Sequence, residues 1–132
     1  MQPGIGYNRQ LKEKNKMNKF SGNEEKLIPT ERWEEWSTMF TNGNRGRSLS
    51  IDIKKSEMDI NTLANDLPLV AIDYDPVDKG NIFTISYDQK ESPERHTIER
   101  PSKLVEMQDD KGIVVGVVIE DEGGVENIIL FR

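Results

Sequence analysis

The sequence predicts an α+β domain, with one N-terminal helix packed on a curved, mostly antiparallel sheet of about six to seven strands. Three observations carry this expectation. Trp33, Trp36 and Phe40 recur at helical spacing within residues 30–42, marking one face of a 3.6-residue period. From Leu49 onward, apolar residues alternate with polar ones, the signature of strands with one buried face. The gaps between these runs are mostly too short for crossover helices, so neighbouring strands should run antiparallel.

Residues 1–27 precede the predicted domain and differ from it in charge. They hold six basic and three acidic residues, net +3, against 12 basic and 21 acidic in residues 28–132, net −9, which together give the formal −6. Their apolar residues Ile5, Tyr7, Leu11, Met17, Phe20 and Leu27 follow no sustained period. Such a segment buries too little surface to offset its ordering entropy, so a flexible basic tail is expected over residues 1–27. The plainest reading is a solvated leader. The functional reading is a docking segment, with Tyr7, Leu11 and Phe20 as anchors and lysines such as Lys14 and Lys16 steering it to an acidic surface.

Ile28-Pro29-Thr30 opens the helix, with Thr30 as its cap and Glu31, Glu34 and Glu35 favourable near its positive end. Asn42-Gly43-Asn44 closes it, through a left-handed residue at Gly43 or Asn42. Leu49, Ile51 and Ile53 then alternate with polar residues as a strand. Residues 59–66 read as a helical turn or loop. Residues 67–74 form the next strand, with Val70, Ile72 and Tyr74 inward. Pro76 and residues 78–81 turn the chain, and Phe83, Ile85 and Tyr87 line one face of the return strand. Residues 96–99 are a short strand that Pro101 bends, and residues 104–108 continue it. Residues 109–112 and Glu122-Gly123-Gly124 are hairpin turns on either side of residues 113–120, and residues 125–131 close the sheet.

The last hairpin is apolar on both faces. Val114 and Val118 oppose Ile113, Val115, Val117 and Ile119, and Ile128 and Leu130 oppose Ile129 and Phe131. Strands of this kind are covered on both sides. The helix covers one side, and sheet closure, a protein partner or a second copy (a homodimer) covers the other.

Composition narrows the functional field. The chain has 132 residues, no cysteine and one histidine, which excludes a disulfide framework, a cysteine zinc site, a cysteine nucleophile and a poly-histidine metal centre within one chain. No apolar run approaches the ~20 residues of a membrane helix, and the first ten residues lack the apolar stretch of a secretory signal. No transmembrane segment and a cytoplasmic location are therefore expected. An acidic body disfavours nucleic acid, and Glu31, Glu34 and Glu35 beside the tryptophans disfavour a base-stacking role for them.

The segment Asp66-Leu67-Pro68-Leu69-Val70-Ala71-Ile72-Asp73-Tyr74-Asp75-Pro76 resembles a bacterial domain family of unknown function, whose small members are well represented in cyanobacteria. The likeness extends to the Ile28-Pro29 opener with Trp33 and Phe40, to His96-Thr97-Ile98-Glu99-Arg100-Pro101, and to the acidic and glycine turn at residues 120–124. It spans residues 28–131 and implies a compact single domain without an assigned activity, cofactor or catalytic residue.

Few residues suggest chemistry. Asp73 and Asp75 share a face at a strand end, and Asp78 follows in the turn. Three carboxylates suit Ca²⁺ or Mg²⁺, but the spacing is not that of an EF-hand, and Asp and Pro are ordinary turn formers. His96 is the lone candidate base, placed by alternation beside Ile98 as a part-buried ring. Gly4-Ile5-Gly6 follows no strand, and residues 42–46 lack the Lys-Ser/Thr of a phosphate loop. Arg45, Arg47, Lys54 and Lys55 read as a solvated strand end. The expected function is a non-enzymatic protein-interaction or accessory module with no cofactor, docking through its tail and through Val114, Val118, Ile128 and Leu130. The alternative is a small ligand- or divalent-metal-binding domain, even a hydrolase using Asp73, Asp75 and His96.

Overall fold

The computed structural model describes residues 23–132. Tyr7, Leu11, Lys14, Lys16 and Phe20, the expected tail anchors and lysines, lie outside the described residues. The elements in chain order are β1 (Glu24–Leu27), a 3-10 turn (Thr30–Arg32), α1 (Trp33–Asn44), β2 (Ser48–Ser56), β3 (Asp59–Asp75), a second 3-10 turn (Val77–Lys79), β4 (Ile82–Gln89), β5 (Ser92–Glu99), β6 (Pro101–Gln108), β7 (Val114–Asp121) and β8 (Glu126–Phe131). They form one helix on a single antiparallel sheet of eight strands, in the order β1-β6-β7-β8-β2-β3-β4-β5. The strand beyond the expected seven is β1. Residues 24–27, grouped with the tail by their composition, belong to the sheet and pair with β6.

The sheet turns two corners without closing into a barrel. The first corner is in β3. Its residues up to Pro68 pair with β2, and those from Leu69 onward pair with β4. Asp66 at φ 62° and a register shift between Leu69 and Ala71 bend the strand there. The shift also moves Leu69 into the core in place of Val70, which is half-buried. The second corner is Arg100 at φ 51°, the single residue between β5 and β6. Its N–H donates to the Asn81 carbonyl (3.1 Å), and its carbonyl accepts from the Glu122 N–H (3.0 Å). Residues 59–66 are strand, not the helical turn or loop their sequence suggests. They pair with β2 through the backbone and through polar contacts such as Thr62 Oγ1–H to Asp52 Oδ1 (2.8 Å), and only Ala64 among them is buried while Met58, Ile60 and Leu63 remain exposed, so no apolar alternation betrays them.

α1 occupies the place that another strand would take beside the second half of β3. Gly46 N–H donates to Leu69 O (2.8 Å) and Leu69 N–H to Arg47 O (2.9 Å), Arg45 Nε reaches Val70 O (3.1 Å), and Thr41 bonds both backbone groups of Ile72. Thr30 does not cap the helix. It starts a 3-10 turn, and α1 begins at Trp33 with no side-chain cap bond. The left-handed residue at the far end is Gly46, φ 92°, past Gly43 and Asn42.

The helix buries Trp33, Ser37, Phe40 and Thr41. Trp33 and Phe40 join Leu49, Ile51, Leu69, Ile72, Tyr74, Phe83, Ile85, Leu104, Val117, Ile119, Ile129 and Phe131 in one core. Trp36 is half-buried and stacks on Phe40 at 4.7 Å between ring centroids. Its Nε1–H donates to Glu106 Oε1 (2.8 Å). Met39 is exposed. No helix among the described residues is long and apolar enough to cross a membrane.

Candidate functional site

The face of β6, β7 and β8 turned away from α1 carries its own apolar cluster. Antiparallel register sets side chains of paired residues side by side on one face, so the pairing defines rows across the sheet. One row reads Leu27, Val105, Val118, Ile128 and then Asp52. The next reads Glu25, Met107, Gly116, Leu130 and Ser50. On the other side of the first row runs a charged one, Lys103, Glu120, Glu126 and Lys54. Two apolar rows thus lie beside a charged row, with Glu25 and Asp52 at their ends.

Met107 and Ile128 form the buried centre of this cluster, with Val105, Val115, Val118 and Leu130 half-buried around them. Leu27 at the edge is 65% exposed. Gly116, between Met107 and Leu130 in the second row, is buried. A cleft of about 220 Å³ lies on this face, lined by Glu25, Lys103, Val105, Met107, Val118, Glu120 and Glu126. Among the described residues, α1 packs against β3 and its preceding turn, and no element is stacked over this outer face.

Val118, Ile128 and Leu130 therefore stand on the outer face as their alternation predicts. Val114 does not. It packs against the main core, beside Trp36 and Phe40, while Val115 takes an outer position. The cause is a register shift: Met107 pairs with Gly116 but Gln108 with Val114, so an extra residue on β7 reverses the inward and outward sense. Strict alternation across residues 113–119 cannot reveal this, nor can it find Val105 and Met107, whose membership depends on pairing with β7.

The acidic turn is solvated. Asp73, Asp75 and Asp78 are all exposed, and among the described residues no group of three His, Asp or Glu side chains is arranged to hold a metal. Asp73 shares a row with Thr84 and Thr97 on the outside of the sheet, whereas His96 shares one with Ile85 and Ile72 on the inside. The sheet itself separates the carboxylates from the imidazole. Tyr74, between the two aspartates, points inward and donates to Asn81 Oδ1 (2.7 Å). Burial, and secondarily the charge of Glu34, holds its phenol above the ordinary tyrosine pKa.

His96 is half-buried beside Ile98, as its alternation suggests, and its ring is satisfied. Nε2 lies 2.8 Å from Asn127 Oδ1, and Asn127 Nδ2 donates to Ile119 O (3.0 Å). The carbonyl of Ile119 fixes the amide orientation, so Nε2–H is the donor to Asn127. This bridge ties edge strand β5 to the buried side of β8. Asn127→Ala is expected to destabilise the domain by about 1–3 kcal/mol, the cost of an orphaned buried partner, measured by urea denaturation. A change below about 0.5 kcal/mol, the usual level for ordinary surface positions, would remove the bridge from the account of the fold.

Among the described residues, the outer face gathers a second apolar cluster, apart from the main core, across β6, β7 and β8. A family model described as a family of unknown function, DUF5335, matches residues 24–132. The chain belongs to this family. No curated protein and no solved structure matches it. The DUF5335 match starts at Glu24, the first residue of β1, four residues before the likeness seen in the sequence. It therefore includes every residue of the outer face, Glu25 and Leu27 among them, and leaves residues 1–23 outside.

Proposed function

We propose that this DUF5335 protein is a non-enzymatic interaction or accessory module, an acidic folded domain with a basic docking tail, that binds a protein through the outer face of β6–β8. The observation that carries the reading is the pair of apolar rows, centred on Val118, Ile128, Met107 and Leu130, over which no described element is stacked. A protein partner suits such a surface because the rows are apolar, broad and bordered by Glu25, Glu120 and Glu126, the pattern of an interface with a dry centre and a polar rim. The acidic rim favours a partner segment that carries both apolar and basic residues, and disfavours nucleic acid. The basic residues before β1 would let the same molecule engage an acidic surface elsewhere, as a linker does.

The test is affinity purification of the intact protein beside Val118→Glu and beside a form lacking residues 1–22. Partners that hold the outer face should be lost with Val118→Glu, and partners that hold the tail with the deletion. The same partner set from all three proteins would sink the proposal. Circular dichroism of Val118→Glu must show the unaltered fold for the comparison to count.

A further inference from the structure

We propose that the outer cleft takes a partner segment in extended conformation, laid along β6, that carries a lysine or arginine, an apolar residue and a second lysine or arginine at alternate positions. This names the occupant of the outer face and rests on the reading of that face as a protein-binding surface.

The first support is the course of the cleft. Its lining follows β6 through Lys103, Val105 and Met107, alternate residues of one strand and hence one face. Each step along the strand is about 6.8 Å, so the three positions span ~13 Å. An extended segment parallel to β6 turns every second side chain to the sheet at the same interval. Its residues i, i+2 and i+4 therefore meet the charged row, the first apolar row and the Met107 row in turn. A cleft of about 220 Å³ admits side chains of this kind and is slight beside the body of a helix, about 10–12 Å across.

The second support is charge. The cleft is acidic at both ends and apolar in the middle. Glu120 and Glu126 stand at the Lys103 end, and Glu25 stands beside Met107 at the other. Three carboxylates face one lysine there, net −2. None of the three is in an ion pair with a described residue, and Lys54, next to Glu126 in its row, is held by Glu57 (3.1 Å). Glu120 and Glu126 are also direct cross-strand partners, and like charges in that position repel. A cationic side chain seated between them relieves the repulsion. A second copy of the domain is a poorer occupant. Residues 23–132 hold 13 basic and 23 acidic residues, net −10, so two such bodies repel.

The third support is the apolar middle. Val105 and Val118 are half-buried around Met107 and Ile128. One aliphatic side chain laid on them completes the cluster, and the stems of the flanking basic residues extend the cover while their charged ends reach the carboxylates.

The test pans a phage library of random nine-residue peptides against the full-length chain, with Val118→Glu, Glu25→Gln and the double variant E120Q/E126Q beside it. The glutamine changes keep side-chain size, and circular dichroism must show the unaltered fold for each protein compared. On the unaltered chain the expected result is enrichment of basic–x–apolar–x–basic peptides, lost on Val118→Glu. Selection on Glu25→Gln, and separately on E120Q/E126Q, should keep the apolar residue and one basic position and relax the other. A synthetic peptide of the enriched pattern should bind E120Q/E126Q about tenfold more weakly than the unaltered chain. No enrichment, acidic peptides, basic and apolar residues at the helical spacing of three or four, or a doubly basic pattern that survives in both glutamine variants would each overturn the proposal. So would a mass that doubles with concentration in the ultracentrifuge and returns to that of one chain in Val118→Glu, which would assign the cleft to a second copy. Failure here is distinct from failure of the interaction reading. Partners lost from Val118→Glu in the affinity purification, with no such peptide selected, would mean that the face holds a partner of another shape, whereas an unchanged partner set there would remove the reading itself.

Discussion

Trp33→Ala should destabilise the domain by about 3–5 kcal/mol, the range for truncating a large buried aromatic. Trp33 is 2% exposed and sits where three parts of the molecule meet. Its ring packs edge-on against Tyr74 of β3 at 5.3 Å and tilted against Phe83 of β4 at 5.3 Å. Its Nε1–H donates to the Ile28 carbonyl (2.9 Å), and the Ile28 N–H in turn donates to Leu104 O of β6 (2.9 Å). Removing the indole empties the space between helix and corner, and it frees the segment that leads from β1 into the helix.

Against a total stability of about 5–15 kcal/mol for a domain of this kind, such a loss lowers the thermal midpoint by ~10 °C or more. Trp33→Phe refills most of the volume but drops the bond to Ile28, and should fall between the two. Trp36→Ala should cost less, because Trp36 is only half-buried and its N–H meets Glu106 near the surface. The measurement is thermal and urea unfolding followed by far-ultraviolet circular dichroism. Equal losses at Trp33 and Trp36 would mean that the core is not centred where the ring contacts place it.

Trp33 also shows what the sequence makes legible. A bulky residue at helical spacing announces a core contact, and Trp33 and Phe40 deliver it. Phe83, Ile85 and Tyr87 do the same for β4, because the extra residue of the β3–β4 pairing lies on β3, and every second residue of β4 from Phe83 to Tyr87 is buried. The misreadings gather where the backbone departs from a regular ladder. The extra residue on β7 turns Val114 toward the core, and the shift near Val70 does the same for Leu69. β1 and the first half of β3 are invisible for another reason. Apart from Ala64 and the half-buried Leu67, their side chains are exposed, so ladder hydrogen bonds hold them in the sheet without an apolar pattern. The outer face was half legible: Val118, Ile128 and Leu130 follow from alternation within one hairpin, but Leu27, Val105 and Met107 join them only through pairing between distant strands, and no local signal carries that.

Thr41→Val should cost about 2–5 kcal/mol, although it exchanges a hydroxyl for a methyl of nearly the same size. In a strand, both backbone groups of one residue point to the same side. Those of Ile72 point to the helix: its N–H donates to Thr41 Oγ1 (2.9 Å), and Thr41 Oγ1–H donates to its carbonyl (3.0 Å). One hydroxyl therefore does at this point what a neighbouring strand does elsewhere in the sheet. Thr41 is 6% exposed and Ile72 is 0% exposed, so water cannot replace the lost partner. Each orphaned group then carries a desolvation cost of about 1–3 kcal/mol, partly offset by burial of the added methyl.

Thr41→Ser separates the two contributions. It keeps the hydroxyl and loses one methyl, which is worth about 1 kcal/mol, so it should be much the milder change. Hydrogen exchange at the Ile72 amide supplies a readout that packing alone would not move selectively. The amide should be protected in the native protein and in Thr41→Ser, and should exchange faster than its β3 neighbours in Thr41→Val. If Thr41→Val and Thr41→Ser are equally stable, the helix is held to β3 by apolar contact, and the hydroxyl does not serve as the ladder partner. The same hydroxyl thus sets where α1 lies: Thr41, Trp33 and Phe40 hold the helix to the inner side of the sheet, and among the described residues it is not stacked over the outer rows of β6–β8.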